Sequence, residues 1–201
     1  MPQANGPKGW HSRGYHPHFD GNHTTQSINF RLAGSVSREL FEKWKAALTL
    51  ARHLDDDVKK LRMISKLEAQ LDLGRGVCHL KNPKIAALVE KALLYFDGER
   101  LQLHAWCVMP NHVHVLLTPH TGYSVAKIVK SWKSYTARRA NCLLGLKGPF
   151  WETDYYDRYI RNPDHFQKAR NYIENNPVKA GLCEKPEDWA FGSARFRVGP
   201  V

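Results

Sequence analysis

Two apolar runs separated by only two residues constrain this chain most. Leu101 to Met109 and His112-Val113-His114-Val115-Leu116-Leu117 flank Pro110-Asn111, and strands joined by so short a connection pair as an antiparallel hairpin. Upstream, Ile28-Asn29-Phe30-Arg31-Leu32 alternates apolar and polar residues, the pattern of a half-buried strand. Ser37 then precedes Leu40, Phe41, Trp44, Ala47, Leu48 and Ala51 at helical spacing. Asp55-Asp56-Asp57 opens a second helix to about Leu71, stopped by Gly74 and Gly76, and Pro83 opens a third to about Phe96. Beyond the hairpin come a helix from about Ser124 to Leu144, a short aromatic strand between Phe150 and Arg161, and a helix opened by Asn162-Pro163-Asp164 and closed at Asn176-Pro177. That order predicts an α+β fold, an antiparallel sheet with helices packed on one face and a helical segment at about 37–96 between the first strand and the hairpin. Residues 1–26 read as an irregular basic lead-in, and 27–201 as one domain, as a chain of 201 residues leads one to expect.

Charge narrows the partners. Thirty Lys and Arg against nineteen Asp and Glu give a net +11, and such a surplus favours a polyanion whose condensed counterions are released on binding. An anionic membrane surface would instead call for a basic amphipathic helix with a strong apolar face. No apolar run approaches the roughly 18 residues of a spanning helix, and the first residues lack a basic, then apolar, leader, so a cytoplasmic protein without membrane contact is expected. Cys78, Cys107, Cys142 and Cys183 are widely spaced, with no Cys-x-x-Cys pair, which predicts free thiols and argues against a zinc site.

Three groups of residues carry chemistry. Side chains two apart on a strand share a face, so His112 and His114 can hold one cation while Val113 points to the core. With eleven histidines in the chain, spacing alone leaves a metal pair and an ordinary hydrogen-bonded pair equally open; His16 and His18 are given no role. Tyr172 and Asn176 lie four apart on one helix face. Pro177 disfavours further helix and leaves Asn176 at the helix end, free to turn outward. A phenol can act as a nucleophile when its ionisation is assisted; the alternative is a packed ring and a capping amide. Lys127, Lys130, Lys133 and Arg138 interleave with Trp132 and Tyr135, and Arg158 and Arg161 follow in a stretch dense in rings. Such residues can track phosphates and stack on bases, although packing of Trp132 and ion pairing of the arginines with Asp154 or Asp157 account for them as well.

Taken together, Met109 to Leu116, Ser131-Trp132-Lys133-Ser134, Phe150-Trp151-Glu152, Asp154 to Arg161 and Tyr172 to Leu182 resemble the REP-associated tyrosine transposases, single-tyrosine HUH transposases of bacterial insertion sequences, over about residues 27–196. The resemblance implies a ferredoxin-like fold. It also implies a metal-dependent enzyme that cuts and rejoins single-stranded DNA beside imperfect palindromic hairpins through a 5′-phosphotyrosine. By the same resemblance Tyr172 is the nucleophile, and His112, His114 and Asn176 hold a divalent ion, Mg²⁺ or Mn²⁺. No further histidine or acidic ligand is positioned by the motifs. Relatives work as monomers or homodimers. A hairpin-binding protein with little cleavage would carry the same motifs, whereas a replication initiator with a fused helicase would need a Gly-x-x-x-x-Gly-Lys loop that this sequence lacks. An RNA-binding module would place paired aromatics on adjacent sheet strands, and the hairpin offers none.

Overall fold

The structure, a computed structural model, describes residues 9–12, 17–21, 23–53, 66 and 69–197. Its centre is a four-stranded antiparallel sheet. In chain order come β1 (Gly9–Ser12), β2 (Pro17–Asp20), β3 (Gln26–Arg31), α1 (Arg38–His53), α2 (Pro83–Leu94), β4 (Leu101–Val108), β5 (His112–Pro119), α3 (Val125–Leu144), β6 (Tyr156–Tyr159) and α4 (Pro163–Lys179). The sheet runs β4-β5-β3-β6. Two β-α-β units thus interleave as β3-α2-β4 and β5-α3-β6, the ferredoxin-like arrangement. The inserted segment lies between β3 and α2. Of the helix expected from Asp55, only residue 66 and a helical stretch at 69–72 fall within the described residues.

Local chemistry sets the boundaries. Asn82 caps α2 by accepting from the Lys84 amide, with Pro83 at its first position. Ser124 caps α3, and Gly145, at φ 64°, ends it in the left-handed region that glycine enters without strain. The hairpin turn closes through the Met109 amide on the His112 carbonyl, at 2.9 Å.

Both faces of the sheet are covered, and β5 is buried nearly throughout. Val113, Val115 and Leu117, with Ile28 and Phe30 of β3, pack under α2 and α3. Leu116, with Ala105, Cys107 and Met109, packs instead on Ile173 of α4. A register shift between Leu103 and Ala105 reverses the parity of β4, so that Ala105 and Cys107 join this second face. The expectation of helices on one face therefore holds for α2 and α3, while α4 covers the other face. The near-continuous apolar run of β5 is the physical reason, because it leaves no face for water.

Two further differences from the sequence reading concern the ends. Residues 9–12 and 17–20, expected to be irregular, pair as an antiparallel ribbon, Gly9 opposite Asp20. The last helix does not close at Asn176: it continues through Pro177 to Lys179, and Ile173, Asn176 and Pro177 are all buried. Packing of that buried face outweighs the one backbone bond that proline forgoes.

Candidate metal and nucleophile site

Parity on β5 builds the site. His112 and His114 share the α4 face with Leu116, opposite Val113 as expected, and both are buried. Their Nε2 atoms lie 2.9 Å apart with the rings edge to face. Asn111 fixes the tautomer of His112: its Nδ2 donates to the Leu71 carbonyl, leaving its Oδ1 to accept from His112 Nδ1 at 2.7 Å. The Nε2 lone pair of His112 therefore faces the partner ring. Burial drives His112 well below the ordinary imidazole range, and the neighbouring His114 adds to this. Burial, with the Lys179 charge behind it, lowers His114 to about 3. Both rings are neutral at physiological pH, the state that ligates metals.

The third member is Asp72, at the end of the helical stretch 69–72. Its Oδ1 is 3.6 Å from His112 Nε2, and one ligand atom from each of Asp72, His112 and His114 falls within 4.8 Å of the others. Burial raises the Asp72 carboxyl above its usual range, against the nearby Lys179 ammonium. Both Asp72 oxygens and both polar atoms of the Asn176 amide are buried without a hydrogen-bond partner. Buried carboxylate and amide oxygens without hydrogen-bond partners, beside two neutral imidazoles, suit a divalent cation, which would satisfy them.

Helix α4 brings the phenol. The Tyr172 ring stands edge to face against His114, with centroids 5.7 Å apart. Lys179 lies 5.2 Å over the Tyr172 ring and 3.7 Å from Asp72 Oδ2. Asn176 sits between Tyr172 and Lys179 on the same face of the helix. Its amide is fully buried, not turned outward as the sequence suggested. The rival tyrosines separate by face. Tyr155 packs against His18, and Tyr159 against Phe19, whereas Tyr156 pairs with Asn29, itself opposite His114, and so shares the His114 face.

The basic residues divide in the same way. Lys127, Lys130 and Arg138 are exposed along α3, on the other side of the sheet. Lys133 is not a free cation: its ammonium donates to the carbonyls of Glu152 and Thr153 at 2.6 and 2.8 Å, and burial lowers it to about 8. Arg158 pairs with Ser27 and so points to the α4 face, and exposed Arg161 lies over the Tyr159 ring.

Sequence reasoning missed two residues here. Asp72 comes from the inserted helical segment, forty residues before His112, where no spacing rule reaches. His18 is buried between Asp154 at 3.0 Å and Asp157 at 2.5 Å. Burial opposes its charge, yet bonds to both carboxylates raise it to about 9. This imidazolium fastens the β1–β2 ribbon to β6.

A family model described as "Transposase IS200 like" matches residues 83–176. A protein of Escherichia coli K12 described as a REP-associated tyrosine transposase is 28% identical over 107 residues, which are 53% of this chain and 62% of that protein. A Haemophilus influenzae protein is 25% identical over 99 residues, covering 44% of this chain and 56% of its own. The match spans less than two thirds of either relative. A solved structure of a REP-associated tyrosine transposase bound to a REP hairpin has the same fold, with a TM-score of 0.53 at 17% identity, over 94% of this chain and 84% of that one.

Proposed function

From the match of residues 83–176 to a family model described as "Transposase IS200 like", we propose that this chain cuts and rejoins single-stranded DNA beside hairpins, with Tyr172 as nucleophile. The observation that carries the reading is the Tyr172 ring held against His114, within a buried group of Asp72, His112 and His114. The Tyr172 oxygen attacks the phosphorus of a phosphodiester. The new bond joins tyrosine to the 5′ phosphate, the bond to the 3′ oxygen breaks, and the proton given up by the phenol is returned to that leaving oxygen as a 3′-hydroxyl. Attack by a second 3′-hydroxyl reverses the step on a new strand, so no nucleotide cofactor is consumed.

Asp72, His112, His114 and Asn176 would hold a divalent ion, Mg²⁺ or Mn²⁺. When bound, such an ion supplies Lewis-acid stabilisation of the charge that develops on the phosphate oxygens. Asn111 keeps the His112 lone pair directed into the site, and Leu116 and Ile173 close its floor to water. Arg158, on the same sheet face, and Arg161 would contact phosphates near the scissile bond. Lys127, Lys130 and Arg138 offer a second basic surface on α3 for the hairpin stem.

The test is covalent trapping. Full-length protein is incubated with hairpin oligonucleotides carrying single-stranded flanks and Mn²⁺ or Mg²⁺, then run on a denaturing gel. A protein–DNA band is expected that disappears with EDTA and in Tyr172→Phe. Persistence of the band in Tyr172→Phe would move the nucleophile to Tyr156. Tight hairpin binding without any band would leave a DNA-binding protein.

A further inference from the structure

We infer that Lys179 is a positioning residue of this site, one ammonium holding both the Asp72 carboxylate towards His112 and the Tyr172 ring against His114. The inference rests on the metal-site reading above. Lys179 and Asp72 both lie outside residues 83–176, the stretch matched by the family model.

The geometry divides the Asp72 carboxylate between two neighbours. Oδ2 is 3.7 Å from Lys179 Nζ, and Oδ1 is 3.6 Å from His112 Nε2. A carboxylate held by one oxygen has its rotation restricted, and the other oxygen is kept facing the histidines. The same ammonium stands 5.2 Å over the Tyr172 ring, whose edge meets His114. Helical side chains lean towards the N-terminus, so a lysine seven residues after the tyrosine can reach back along the same face to cover it. Lys179 thus joins three separate elements: α4, the 69–72 helical stretch and, through both of its partners, the histidine strand β5.

An ordinary surface ion pair would contribute little, and a lysine side chain 56% exposed could leave it at small cost. Here the partner carboxylate is only 9% exposed and its second oxygen faces a histidine. Groups that orient a metal ligand from behind commonly change metal affinity by about 10- to 100-fold when removed.

The experiment uses the full chain with Mn²⁺ alone, titrated calorimetrically, beside the trapping assay and a thermal melt. Lys179→Met is expected to weaken Mn²⁺ binding by about tenfold and to slow adduct formation at saturating Mn²⁺, with the melt preserved. Lys179→Arg, which keeps the charge and the reach, is expected to recover most of both. Wild-type Mn²⁺ affinity and adduct rate in Lys179→Met would overturn the inference. So would losses that follow a lowered melting temperature and are not recovered by arginine. A wild-type chain that bound Mn²⁺ yet formed no adduct would defeat the strand-transfer reading, while the Mn²⁺ titration of Lys179→Met would still decide the role of Lys179.

Discussion

At the scale of single residues, a few buried polar groups decide what the site can do. Asn111 is fully buried, and by accepting from His112 Nδ1 it fixes which nitrogen of that ring is free. His18 plays a comparable part at the far edge of the sheet, and its protonation gives a prediction. Its pKa is about 9 in the folded chain against an ordinary 6.5. The stabilisation is therefore fully present below pH 6.5 and is lost as pH rises through 9. The shift corresponds to roughly 3 kcal/mol. Urea unfolding from pH 6 to pH 10 should show the margin of wild type over His18→Gln falling across that window, and a constant margin would contradict it. Of the residues in the proposed site, His112, His114 and Tyr172 stand in local patterns that a sequence displays, a strand parity or a recurring motif. Asp72 does not, since only the packing of an inserted helix against the β5 turn brings it to the histidines. Lys133 shows the opposite limit: its helical position reads as basic and open, but in the fold its ammonium donates to two carbonyls of the 150–155 segment.

At the scale of elements, the hairpin, α2 and α3 follow from the sequence nearly residue for residue, because caps and periodicity agree there. The last helix was cut short because the rule about residues before proline is local, while Ile173, Asn176 and Pro177 are held by tertiary burial. The N-terminal ribbon was missed because four-residue strands with few apolar positions carry no periodic signal. The C-terminal segment also acquires a role only in the fold. Phe191 O accepts from the Val108 amide, Ser193 Oγ from the Trp106 amide, and Trp189 Nε1 donates to the Val108 carbonyl. These bonds cover the outer edge of β4, which would otherwise offer unpaired groups to a strand of another molecule. Removing residues 189–201 should therefore produce concentration-dependent association, read by light scattering coupled to size exclusion. A truncated chain with the same mass distribution as the full one would show that the edge is protected in another way.

At the scale of the whole molecule, the decisive relation is between the sheet and α4. The helix lies across the face that carries both histidines, and its Tyr172 meets His114 of the same chain at 5.7 Å. Lys179, two turns further on, reaches Asp72 of that chain as well. Within one chain the fold already brings Tyr172, His112, His114 and Asp72 together, and the edge of β4 is covered by that chain's own C-terminal segment. The proposed reading therefore expects a reaction in cis, with no ligand and no nucleophile from a second copy. Complementation between two inactive variants tests this directly. Tyr172→Phe retains the cation ligands, and His112→Ala/His114→Ala retains the tyrosine. If α4 were exchanged between copies, mixing the two would create intact sites and restore up to about a quarter of the wild-type adduct for random pairing in dimers. For a site closed within one chain, the mixture should yield no more adduct than either variant alone. Recovery of adduct on mixing would require the last helix to cross to a partner, and would replace the cis arrangement with a shared one.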